Sequence, residues 1–170
     1  MTTLHRLLDW LLQWTVILLM VTLTAVVIVA VFARKFGASL VWYDEVASVL
    51  LAWVTYYGAA LAALKRRHIG FDGLLLRLPV KLRMAAVVVA EILVIGFFVL
   101  LAWTGLEVLA VVGGDTLVSL TWVPISLTQS VIPITAVLFI ICELISLPEY
   151  WQSIQAGRSL EHPEFEPERT

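Results

Sequence analysis

The run Val41-Trp42-Tyr43-Asp44-Glu45, followed by 19 residues without a charge at positions 46–64, decides how this chain is read. An aromatic pair and an acidic pair leading into so long an apolar segment mark the mouth of a membrane-crossing helix. Lys65-Arg66-Arg67-His68 closes the segment, so polar groups bracket it on both sides. A crossing needs about 20 apolar residues, and this segment meets that length. Three further runs of the same kind accompany it.

Of the 170 residues, 61% are hydrophobic and 14% charged, and the mean hydropathy is +0.98. A soluble domain carries about a quarter charged residues, so the composition is that of a membrane protein. The net charge of −2 gives no reason to expect a nucleic-acid partner. Cys142 is the sole cysteine, which excludes an intrachain disulfide, and within an apolar run it reads as a small buried hydrophobe. His5, His68 and His162 all lie outside the apolar runs, so no span offers histidine ligands to a haem. No cofactor is expected.

Taken in order, the spans are expected at about 10–33, 42–64, 84–112 and 123–147, forming one membrane domain over residues 1–147. The first run is longer than the ~7–15 apolar residues of a cleaved signal and lacks an Ala-x-Ala site, so it is read as a retained helix. Phe71-Asp72-Gly73-Leu74-Leu75-Leu76-Arg77-Leu78 mixes leucines with a base behind a capping Asp, the pattern of a short helix lying in the interface. Pro79 suits the start of the third span, and Gly113-Gly114-Asp115 makes the turn after it. Residues 148–170 read as a polar tail, and Glu161, Glu164, Glu166 and Glu168 between prolines make its end acidic and disordered. With both termini in the cytoplasm, nine of the 11 Lys and Arg residues fall inside and two, Arg34 and Lys35, outside. The fold class is therefore all-α integral membrane, with four spans, N-in and C-in.

Several polar residues within or beside the spans call for a role. Asp44 and Glu45 complement the dipole at a helix N-terminus, and Asp44 is placed to cap it; an acidic pair beside Trp42 and Tyr43 also suits contact with a partner chain. Glu91 and Glu143 are intramembrane carboxylates, expected to face the protein interior and to pair with Lys65, Arg66 or Arg83. Only Glu107 follows them towards the far interface, so they make no proton relay. Gly58 and Ala62, four apart, allow close helix approach, within the chain or against another membrane protein. His68 and Asp72 have the spacing of two metal ligands on a helix, but Gly70 between them favours a turn, and no metal is expected. No phosphate loop, HExxH, GxSxG or Cys/His cluster occurs, so no enzyme chemistry is expected. Four spans without discontinuous polar helices are also poor material for a carrier working alone.

The order of these features resembles the small membrane subunit of the tripartite ATP-independent periplasmic (TRAP) transporters, the DctQ-like family. Trp42 with Asp44-Glu45 opens the second helix; Gly58-Ala59-Ala60 comes late in it; His68-Ile69 and Asp72 follow; Trp122 precedes Pro133-Ile134 in the last helix. The similarity covers roughly residues 7–147. Glu45 matches the family's glutamate, while Asp44 stands where many relatives have Glu.

The resemblance implies a scaffold subunit of a sodium-driven organic-acid uptake system in the bacterial inner membrane. Its partners would be a large elevator-type membrane subunit carrying the substrate and sodium sites, a transiently docked periplasmic substrate-binding protein, and membrane lipids. Residues 34–42 and 113–122 would lie near the docked protein. The rival reading is a self-assembling four-helix channel or receptor-like module.

Overall fold

The computed structural model describes residues 3–66 and 78–156. Among the described residues every element is helical, and four helices are long and apolar enough to cross a membrane. The residues 67–77, which include His68, Asp72 and most of the expected interfacial segment, lie outside the description, as does the tail from 157 on.

Helix α1, Thr3–Lys35, contains neither Gly nor Pro, so nothing interrupts its hydrogen-bond ladder. It ends in a left-handed glycine, Gly37 at φ 79°. The Ala38 N–H reaches back to the Ala33 carbonyl at 2.9 Å and the Gly37 N–H to that of Arg34 at 3.1 Å. This pair of bonds is a Schellman stop, and it consumes carbonyls that a plain helix end leaves open. Arg34 and Lys35 in the last turn meet the negative end of the dipole.

Helix α2, Tyr43–Leu64, starts with Asp44 and Glu45 in its first turn. Trp42 holds the capping position without a side-chain cap, so Asp44 acts through the dipole alone. At the other end Arg66 adopts φ 52°, the one positive-φ residue other than glycine among those described. A non-glycine residue held there costs about 1–3 kcal/mol and persists only where its surroundings demand it.

Helix α3, Val80–Val111, follows Pro79 at the capping position and stops before Gly113. Residues 112–124 form a loop closed by an antiparallel bridge between Thr116 and Pro124. A short helix α4, Ile125–Gln129, leads into α5, Val131–Gln155. Helix α5 runs through Pro148 to Gln155, past the expected end of the span at about 147. The missing N–H is offset by what the extra turns bury: Ile154 is fully buried, and its carbonyl accepts from Arg83 Nη1 at 3.1 Å.

The four long helices stand in a row: α1 packs on α2, α2 on α5, and α5 on α3, with no comparable packing between α1 and α3. One end of the row, here called the terminal pole, holds the start of α1, the end of α2, the start of α3 and the end of α5. The opposite end is the loop pole. The core lies towards the terminal pole, where Leu12 of α1, Ala60, Ala63 and Leu64 of α2, and Phe139 and Cys142 of α5 are buried together. The Phe98 and Phe139 rings stack across α3 and α5 with centroids 3.6 Å apart. Higher up the same helix pair, Gly105 lets α5 approach so closely that an added Cβ would meet Pro133 Cδ at 3.0 Å. In lipid such close packing, not burial from water, holds helices together.

Candidate functional site: polar ties on the second helix

Helix α2 carries three polar ties, one near each pole and one between them. At the loop pole, the Glu45 carboxylate accepts the Val118 N–H at 2.9 Å and the Ser119 N–H at 2.8 Å, one on each oxygen. Its place in the first turn points the side chain at the 112–124 loop, whose amides at that point have no ladder to join. Two charge-assisted bonds thus fix a loop that an apolar residue would leave free. Further along, the Trp53 indole donates to the Thr128 carbonyl at 3.1 Å, at the junction of α4 and α5.

At the terminal pole the left-handed backbone of Arg66 turns its guanidinium back between α3 and α5. Nη1 lies 2.5 Å from Glu91 Oε1 and 2.8 Å from Glu143 Oε1. Nη2 donates to the Glu143 carbonyl at 3.0 Å, and Nε to Ser146 Oγ at 2.8 Å. Ser146 in turn donates to the Ala63 carbonyl at 3.2 Å, and the Tyr150 ring lies 4.7 Å beneath the guanidinium carbon. The three charged side chains are only 6–12% exposed. The planar fork of Arg suits this many-sided contact as a lysine could not. One cation thereby joins α2, α3 and α5, although α2 and α3 are not neighbours in the row. Beside it, Lys65 bridges to Asp9 of α1 at 3.2 Å.

The two intramembrane carboxylates thus share Arg66, while Lys65 goes to α1. Arg83 is buried and ties the start of α3 to the Leu78 and Ile154 carbonyls. Arg34 stacks over Tyr43 at 6.0 Å. Trp42 is half-buried, whereas Trp122 is 79% exposed. Pro133 is buried against Gly105, and the space where Gly58 would carry a Cβ is open to 4 Å. Asp9, Ser146 and Tyr150 were not among the residues singled out from sequence; a buried serine and a tyrosine near a helix end carry no pattern that would mark them.

Chemically these groups cross-link the helices. Glu45, Trp53 and Arg66 are turned onto backbone or an opposite charge, and among the described residues no three His, Cys, Asp or Glu side chains gather as metal ligands. A family model, the DctQ component of the tripartite ATP-independent periplasmic transporters, matches residues 23–153. The curated proteins contain no significant match to the chain.

Proposed function

The chain belongs to the DctQ component family of the tripartite ATP-independent periplasmic transporters, and from that premise we propose that it is the stationary scaffold of its transporter. It is a multi-pass membrane protein and a component of a transporter. In the proposed reading it braces a large membrane subunit that holds the substrate and coupling-ion sites and moves as an elevator. The cargo is an organic acid delivered by a periplasmic binding protein, and sodium drives its uptake. The bacterial inner membrane is the site, with the terminal pole facing the cytoplasm, where nine of the 11 Lys and Arg residues then fall.

One observation carries the scaffold role. The polar ties at both poles of α2 lock a single row of helices, with Arg66, Glu91, Glu143 and Glu45 all engaged within the chain. A moving carrier needs two packings of similar energy. A row pinned at one end by Arg66 and at the other by Glu45 favours one. The row also encloses no common axis of its own, which speaks against a channel formed within one copy.

The test is purification from the native membrane in mild detergent, followed by identification of the bound chains. One large many-spanning protein in equal amount is the expected result. A defined homo-oligomer of this chain alone would overturn the scaffold reading in favour of a channel or receptor-like module. In cells, Glu45→Ala is expected to lower uptake and leave substrate preference unchanged; an altered preference would place substrate contacts on this chain and refute the role.

A further inference from the structure

The Arg66 cluster has a charge count that its partners do not close. Glu91 and Glu143 both set their Oε1 atoms on the same Nη1, at 2.5 and 2.8 Å. Three side chains only 6–12% exposed thus enclose one positive charge and, with both acids ionised, two negative ones. The second oxygen of each acid is buried too, and among the described residues neither Glu91 Oε2 nor Glu143 Oε2 accepts a hydrogen bond. An ionised carboxylate is an acceptor on both oxygens, so a dry, unpaired one in a low-dielectric site is costly.

The described neighbours supply neither the missing charge nor the missing donor. Lys65 of α2 is engaged by Asp9 of α1, and Arg83 of α3 is turned to the Leu78 and Ile154 carbonyls. The Ser146 hydroxyl of α5 has a single proton, directed at the backbone carbonyls of Ala63 and Glu143. Cys142 and Tyr150 of the same helix bring no positive charge. The two carboxyl groups are instead within hydrogen-bond reach of each other. Two acceptors in such contact call for a proton between them.

We infer that Glu91 and Glu143 share one bound proton, so that the lock joining α2, α3 and α5 is a neutral triad of guanidinium, carboxylate and carboxylic acid. One O–H turned from one acid to the other removes the excess charge and gives the pair the donor it lacks. With only Glu107 further towards the loop pole, the proton is held and not relayed. Its loss leaves a net negative charge at the junction, so the lock loosens as pH rises. An exposed glutamate gives up its proton near pH ~4.3, and above that the folded chain binds one proton more than the unfolded chain. Stability therefore falls with rising pH until the proton leaves the folded state as well. This inference stands apart from the scaffold reading.

The test is infrared spectroscopy of the full chain in lipid vesicles at neutral pH, with unfolding in detergent measured alongside. The parent is expected to show a protonated-carboxyl C=O band that disappears in Glu91→Gln and equally in Glu143→Gln, because the remaining acid then pairs one to one with Arg66. From neutral to alkaline pH the parent's folding constant should fall by up to about tenfold per pH unit. Both single variants, whose amide N–H stands in for the O–H, should hold steady. Glu91→Gln combined with Glu143→Gln strands the Arg66 cation and should be less stable than either single variant. No such band in the parent, a band that persists in both single variants, or the same pH dependence in all three would overturn the shared proton. A double variant as stable as the singles would overturn the charge count behind it. A parent whose stability follows sodium concentration and not pH would put a metal cation in the proton's place, and would overturn the proposal as well.

Discussion

Replacing Arg66 by methionine removes the cation that pairs with Glu91 and Glu143 among the described residues, with little change in volume. The two carboxylates, 12% and 6% exposed, are then left with no opposite charge and no water to replace it. Removing one partner of a buried ion pair costs about 3–5 kcal/mol. The Ser146 hydroxyl and the Glu143 carbonyl each lose the donor that Arg66 supplies, but the cooperative cluster makes a simple sum inappropriate. Cys142 reports the loss, because it is the sole cysteine, fully buried, and adjacent to Glu143. If labelling by a thiol reagent requires opening, about 3–5 kcal/mol raises its rate roughly a hundred- to several-thousand-fold, at ~1.4 kcal/mol per tenfold. The companion variant Arg66→Met with Glu91→Leu and Glu143→Leu replaces the cluster by apolar side chains and should recover most of that protection, since such exchanges are often neutral or stabilising. Labelling of Arg66→Met within about fivefold of the parent, or a triple variant as labile as the single, would refute the argument that charge compensation holds this pole.

Three other changes are graded by geometry. Glu45→Gln weakens two charge-assisted bonds at a partly exposed site, so amide exchange at Val118 and Ser119 should speed up by about tenfold, corresponding to ~1–2 kcal/mol. Gly105→Ala drives a methyl onto Pro133 Cδ and the Pro133 backbone nitrogen, at 3.0 and 3.2 Å, and should lower the unfolding temperature in detergent by an amount matching ~1–3 kcal/mol; Gly96→Ala, with open space around it, should not. Lys65→Ala removes a bridge whose partners are each about a third exposed, and should change stability by less than ~1 kcal/mol, a difference that shrinks as salt is raised.

The long helices were legible because each is a nearly uncharged run of sufficient length, and the breaks at Gly37 and Gly113-Gly114 bound two of them. The order of the helices in the row was not legible, since apolar runs of similar composition carry no label for their neighbours. Intramembrane charge marked Glu91 and Glu143 as internal, and the bases beside them as partners. Which base serves them depends on the left-handed turn at residue 66, which a non-glycine sequence does not announce. Glu45 could be placed in a first turn, but its hold on amides more than 70 residues later is a long-range contact with no local sign. The extension of α5 through Pro148 is similar: local preference argues for a stop, and the buried contacts of Tyr150 and Ile154 override it.

The α2–α5–α3 order constrains how the chain is made. Synthesis delivers the third long helix before the fourth, yet the third finds its place only beside the fourth, which must slip between it and the second. Until then Arg66 and Glu91 emerge from the translocon with Glu143 still unmade, and Gly105 has no Pro133 to receive. A chain stopped before α5 would lack the Glu143 carboxylate and carbonyl and the Ser146 hydroxyl that hold the Arg66 guanidinium. The Arg66 cluster is therefore complete only when the last long helix has entered the bilayer.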